Sequence, residues 1–280
     1  MSQPTADPTG RPEHKTVIVT GGAGGIGLAT ARALAARGDA VVVVDIDPEA
    51  VEAAVAELED LGGPPPGHLG LRVDVRDEAA VEGMARATLH RYGRIDALVA
   101  CAGVLRRRGT PPKPLTATTA GEWDEVIAVN LRGTFLCDRA VLPAMVRQRS
   151  GMIINLSSVS ALEGRANDAA YCASKFGVNG LSQSVADEVR GHGVKVVALM
   201  PDAVDTPFWE QNHPVPKPGL ALPPERVAAL ILFLLDQPAD TVLLNPVIAP
   251  LGARRRRGSR NAAGDAPPAG PEPGGPLKAD

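Results

Sequence analysis

The chain has 280 residues, a formal net charge of −3 and 44% hydrophobic residues. That length accommodates one α/β domain of generous size, and the charge is too mild to imply nucleic acid or a membrane surface as a partner. Aromatic residues are only 3%, so a core must be built from Val, Leu, Ile and Ala, which suits a parallel sheet covered by helices on both faces.

The elements alternate along the chain. A β-branched strand is predicted over 15–20, followed by Gly21-Gly22-Ala23-Gly24-Gly25-Ile26-Gly27 and an Ala/Leu-rich helix over 26–37. Strand, glycine turn and helix form the context of a dinucleotide fingerprint. Glycines admit a pyrophosphate to the backbone, and the helix start offers free N–H groups. A second strand over 40–45 ends in Asp45, 18 residues after Gly27, near the spacing of an acid that holds the adenosine ribose. No arginine stands at Ile46 or within the glycine turn, so NAD is expected over NADP. Asp47-Pro48 reads as N-cap and first position of a helix over 48–61. Strands then follow at 71–74, 95–100, 151–156, 194–200 and 241–248, with helices at 77–92, 122–148, 169–191 and 223–236. Leu131 to Val146 is apolar all round, which predicts a buried or subunit-contacting helix.

Tyr171 and Lys175 lie four residues apart on the predicted helix 169–191, so they share one face. A cation beside a phenol favours the phenolate and lowers its pKa, as a base for an alcohol proton requires. The pocket for a substrate is expected along Val104–Leu105, Ser160–Asn167 and Phe208–His213; Arg165 and Asn167 either meet a polar or acidic substrate group there or are ordinary surface residues. Cys101, Cys137 and Cys172 are far apart, and the five histidines form no cluster, so no metal is expected. Residues 1–14 lack the apolar stretch of a secretory signal and no run reaches membrane-spanning length. A reduced, cytoplasmic setting is therefore expected.

Together these residues resemble the short-chain dehydrogenase/reductase family, over about Lys15 to Ile248. The matches are Thr20-Gly21 with Gly25 and Gly27, Asp74-Val75, Asn130, Ser158, Tyr171 and Lys175. The resemblance implies a Rossmann-type doubly wound parallel sheet and an NAD(H)-dependent oxidoreductase interconverting a secondary alcohol and a ketone. Tyr171 would be the acid/base, and Ser158 would hold the substrate oxygen. Lys175 would lower the tyrosine pKa and bind the nicotinamide ribose, and Asn130 would position a water linking Lys175 to solvent. The cofactor is assigned to Gly21, Gly24, Gly25, Ile26, Gly27, Asp45, Ile46, Asp74, Val75, Cys101, Ala102, Gly103, Tyr171, Lys175, Pro201, Val204 and Thr206. A small-molecule alcohol or ketone bound at Ser158 and Tyr171, and a homotetramer or dimer, are the implied partners.

Two positions depart from the family pattern. Cys101 replaces the asparagine that braces the central sheet, and Asp202 replaces a glycine, bringing a negative charge near the nicotinamide end. These departures leave a non-catalytic NAD-binding regulatory or interaction protein on the same fold as the alternative. In domain terms, a flexible segment over 1–14 precedes a catalytic domain over 15–250. The tail over 251–280, with Arg254–Arg257, Arg260 and five prolines, is expected to be disordered.

Overall fold

The computed structural model describes residues 14–107, 109–212 and 216–252. The expected tail segment over 253–280, His213 and the segment before His14 lie outside the described residues. By internal contacts the chain divides into Met1–Pro250 and Leu251–Asp280.

The first unit carries β1 (Thr16–Thr20), α1 (Gly25–Ala36), β2 (Ala40–Asp45), α2 (Pro48–Leu61), β3 (Leu69–Arg72), α3 (Glu78–Tyr92) and β4 (Ala97–Ala100). It continues with α4 (Ala120–Ile127), α5 (Gly133–Gln148), β5 (Gly151–Leu156), α6 (Ala169–Val189), β6 (Val194–Pro201), α7 (Pro224–Leu235) and β7 (Val247–Ile248). The seven strands form one sheet in the order β3-β2-β1-β4-β5-β6-β7, every pairing parallel. Order reverses between β1 and β4, which is where a doubly wound sheet opens its ligand crevice.

Side chains alternate across the strands, so each strand feeds two cores. Val17, Val19, Val41 and Val43 pack with Leu34, Leu58 and Ile231 under α1, α2 and α7. Ile18, Val42 and Val44 pack with Met84, Leu136 and Met145 under α3 and α5. Caps mark the helix starts. Asp47 accepts from Glu49 N–H and Ala50 N–H at 3.1 and 3.2 Å, and Thr119 with Glu122 closes a capping box on α4.

Several elements differ from the sequence expectation, among them β4, which starts at Ala97 rather than at 95. The helix expected over 122–148 starts at Ala120 and is interrupted by a π-helical turn, Ala128–Arg132. β3 begins two residues early because Gly70 lets α2 close on the strand; a Cβ there would meet Val51 Cγ1 at 2.7 Å. The strand expected over 241–248 shrinks to Val247–Ile248. Asn245 has φ 48° and Pro246 has no N–H to donate, so only the last two residues reach the sheet.

Candidate active site

Above the carboxyl ends of the strands lies a cavity of about 540 Å³. One end is the glycine turn. Gly21 has φ +63°, and a Cβ there would stand 2.8 Å from the Ala102 nitrogen; a Cβ on Gly27 would stand 2.0 Å from the Gly21 oxygen. The turn is therefore a backbone surface stripped of side chains, at the start of α1, as a dinucleotide pyrophosphate needs. Asp45 borders it, with Oδ2 accepting from Ala23 N–H at 3.3 Å and Oδ1 from its own neighbour Ile46 N–H at 2.8 Å. Its register partner on β3 is Arg72, a cation that linear spacing does not reveal. Asp74 is held by Arg76, with Nε–Oδ1 2.9 Å and Nη2–Oδ2 2.6 Å. That hydrogen-bonded guanidinium keeps the carboxyl below the usual aspartate range.

Every residue assigned to the cofactor in the sequence reading lines this one cavity, as do Ser158, Tyr171 and Lys175. The 3₁₀ turn after β5 carries Ser158 as its N-cap, with Oγ accepting from Ser160 N–H at 3.1 Å. Tyr171 and Lys175 come from the first turns of α6. Burial pushes the Tyr171 phenol up to about 12, while a hydrogen bond with Ser158 and the positive charge of Arg165 pull it down. Burial brings the Lys175 ammonium down to about 8. Lys175 is 6% exposed; its Nζ donates to the Leu156 carbonyl at 2.7 Å and lies 5.7 Å from the centre of the Tyr171 ring. Arg165 thus supplies a second positive charge near Tyr171, which the i, i+4 pattern did not foresee.

Asn130 does not line the cavity. It is fully buried behind the wall, at the middle of the π turn. Its Oδ1 accepts from Val104 N–H at 2.8 Å, and its Nδ2 donates to Val104 carbonyl at 2.8 Å and Ser174 Oγ at 3.1 Å. The amide is committed to fixing the irregular segment that leaves β4, beside Gly103. A Cβ on Gly103 would stand 3.3 Å from Asn130 Oδ1 and 3.8 Å from Lys175 Nζ. Ser174 in turn donates to the Tyr171 carbonyl at 2.7 Å, so one chain of hydrogen bonds joins Val104, Asn130 and α6.

Cys101, where the family has asparagine, is half-buried and its backbone N–H donates to Thr20 carbonyl at 3.1 Å. Burial raises its thiol to about 12, so it stays a neutral wall. Asp202 reaches across the cleft to Arg165, Oδ1 to Nη2 3.4 Å. Of the polar residues expected in the substrate pocket, Arg165 lines the cavity, whereas Asn167 lines a small neighbouring hollow. Asp202, Gln211 and Asp168 also line the cavity; Asp202 and the stretch holding Gln211 were expected there, whereas Asp168 had no local signal. Phe208 stands 6.0 Å from the Tyr171 ring centre and 6.1 Å from Trp209. Among the described residues no group of acids, histidines and cysteines could hold a metal ion, and no helix is long and apolar enough to cross a membrane.

A parallel sheet with a glycine turn at its switch point and a Ser, Tyr and Lys set at the carboxyl end defines a nucleotide-dependent enzyme class. The sequence profile described as short chain dehydrogenase matches residues 15–215, and the chain belongs to that family. It is 36% identical over 266 residues to levodione reductase of Leifsonia aquatica, covering 88% of this chain and 96% of the relative. It is 37% identical over 242 residues to D-threitol dehydrogenase of Mycolicibacterium smegmatis, covering 83% and 90%. A solved metagenomic short-chain oxidoreductase in complex with NADP superposes with a TM-score of 0.72 at 33% identity, covering 84% of this chain and 96% of that one.

Proposed function

We propose that the chain is an NAD-dependent oxidoreductase that interconverts a secondary alcohol and a ketone. The observation that carries this reading is the single cavity that runs from the glycine turn and Asp45 to Ser158, Tyr171 and Lys175. Names of relatives agree on the chemistry, a reductase of a dione and a dehydrogenase of a polyol. When bound, the nicotinamide supplies or accepts the hydride. In oxidation Tyr171 takes the hydroxyl proton as phenolate, and in reduction it returns it. Ser158 holds the substrate oxygen and steadies the charge that develops there. Lys175, anchored on the Leu156 carbonyl, keeps positive charge under the Tyr171 ring and would hold the nicotinamide ribose. Asn130 acts from behind the wall, holding Val104 and, through Ser174, the turn of α6 that bears Tyr171.

Asp45 is the reason for NAD. Its carboxylate would accept from ribose hydroxyls and repel a 2′-phosphate, and Arg76 is already engaged by Asp74. Arg72 lies across from Asp45 and a structural relative was solved with NADP, so dissociation constants for NAD and NADP are the test of the choice. Two charged hydrogen bonds at about 1.5–3 kcal/mol each predict at least 100-fold weaker binding of NADP. Equal dissociation constants would overturn the choice.

The catalytic unit is taken as 15–250. Phe135 and Phe176 are 41% and 47% exposed on α5 and α6, which supports a dimer or tetramer built on these helices; sedimentation as a monomer at micromolar concentration would oppose it. The three free cysteines suit the reducing cytoplasm. The deciding experiment for the function is NADH formation across a panel of secondary alcohols. A panel with no turnover by either cofactor, in either direction, would overturn the reading.

A further inference from the structure

The chain contains two tyrosines, two tryptophans and four phenylalanines in all. Tyr171, Phe208 and Trp209 nevertheless stand together in one wall of the cavity. The Trp209 indole N–H donates to Val204 carbonyl at 2.7 Å, which fixes its orientation, and its ring meets Phe208 nearly edge-on at 87°. Such a wall favours a flat or ring-shaped apolar body over an extended polyol.

Opposite in character is Arg165. Its side chain is 48% exposed, and its guanidinium makes one contact among the described residues, Nη2 to Asp202 Oδ1 at 3.4 Å. That distance is long for a charged hydrogen bond, and it leaves most of a five-donor fork unused. The backbone N–H of Arg165 meets Cys172 Sγ at 3.3 Å, next to Tyr171 in sequence, so the residue is anchored beside the acid/base. A neighbouring ion pair, Arg106 with Asp168, is largely buried, with side chains 10% and 21% exposed. Arg165 is thus the accessible cation of the wall that carries Ser158 and Tyr171.

We propose that Arg165 is an anion subsite for substrate, and that the enzyme favours ring-bearing secondary alcohols or ketones that carry a carboxylate. The assignment deepens the oxidoreductase reading and rests on it for the reacting oxygen. A carboxylate suits the site better than a phosphate dianion. A guanidinium fork takes both carboxylate oxygens in one plane, whereas Asp202, 18% exposed beside it, would repel a second negative charge. Asp202 keeps the guanidinium over the cleft in the absence of substrate and yields as the ligand arrives. The two ion pairs cancel in charge, so the subsite acts by contact and gives no long-range attraction.

The test titrates the enzyme–NADH complex with cyclohexanecarboxylate and with cyclohexanecarboxamide, following cofactor fluorescence. The acid is expected to bind about 10- to 100-fold more tightly than the amide, the range of a charged hydrogen-bonded pair. Arg165→Gln should bring that ratio near one, and Arg165→Lys, which keeps the charge but loses the fork, should give an intermediate value. Equal binding of acid and amide by the unaltered enzyme, no binding of either, or an equal loss of both in Arg165→Gln, would overturn the subsite. Oxidation of neutral alcohols in the panel would then leave the oxidoreductase reading intact. A ratio that depends on Arg165 in a protein without any turnover would instead sink that reading and keep the subsite.

Discussion

The two faces of the sheet are built to different rules. Under α1, α2 and α7 the buried helix residues are aliphatic or small, with Thr30 as the sole polar side chain among them, and its hydroxyl donates back to Ile26 carbonyl within its own helix. Under α4, α5 and α6 lie buried Asn130, Thr134, Asp138, Ser174, Lys175, Asn179 and Ser182, with Asn155 from β5. Asn155 Nδ2 donates to Asp138 Oδ2 at 2.8 Å and to Ser182 Oγ at 3.0 Å, which ties β5 to both helices at once. Burying polar groups costs free energy unless they are paired. The face that accepts this cost is the one that must hold Asn130, Ser158, Tyr171 and Lys175 in fixed relation. Apolar packing tolerates small slips, and directional bonds do not. The first face keeps the fold, and the second keeps the geometry.

The sharpest break in that division is at the reacting end of the second face. Tyr171→Phe should lower turnover by about 10²–10⁴ while NAD binding, measured by titration, survives. Retention of most activity at saturating NAD would show that another group moves the proton. Next in size, Ile231→Ala on the first face should cost about 2–5 kcal/mol of stability in denaturant unfolding, with kcat preserved in the folded fraction. A fall in kcat without a fall in stability would erase the division of labour.

Asp138 sharpens the comparison through pH. Burial pushes its carboxyl up to about 7, against a hydrogen bond from Asn155 that pulls it down. The folded pKa lies above the unfolded value of 3.8, so the fold binds a proton that the unfolded chain releases. Stability from this group is therefore present at low pH, is lost as pH rises from about 4 to about 7, and stays lost above that. The loss is at most roughly 4 kcal/mol. Asp138→Asn should flatten the slope between about pH 4 and 7 in unfolding experiments, and an unchanged slope would assign the pH dependence elsewhere. The amide would also bring a donor to a cluster in which Asp138 Oδ1 and Asn155 Oδ1 have no partner among the described residues. Smallest in stability, Asn130→Ala should cost about 1–3 kcal/mol by orphaning the Val104 peptide. Unlike Ile231→Ala it should also reduce turnover, because the same bonds hold α6. Rates unchanged in Asn130→Ala would leave the amide a purely structural brace.

Local chemistry made much of this legible in the sequence. The glycine turn, the β-branched strands and the Asp47-Pro48 helix start are written in adjacent residues. Tyr171 and Lys175 follow from helical spacing, and resemblance added Asn130 and Ser158. What escaped depends on residues far apart in the chain. Whether Thr241–Leu244 joins the sheet turns on the left-handed Asn245 and on which strand edge it reaches. Arg165 and Asp202 meet across 37 positions, and Arg72 lies beside Asp45 only through strand register. The task of Asn130 was equally hidden, since a side chain's partner in another loop has no local signal.

The π turn at Ala128–Arg132 has a consequence for the length of the chain. Each helical residue advances the azimuth by about 100°, and a π turn accommodates one residue more than a regular helix would. Deleting a single residue there would let the helix close into regular α geometry with α4 and α5 still in phase, and the residues of the turn itself would be redirected. The Thr119–Glu122 cap at the start of α4 would stay in place, and Asn130 or its replacement would lose its position against Val104. This stretch therefore specifies the site by counting as well as by chemistry: an exchange of side chains disturbs one contact, whereas a single-codon deletion removes the bulge that positions Asn130.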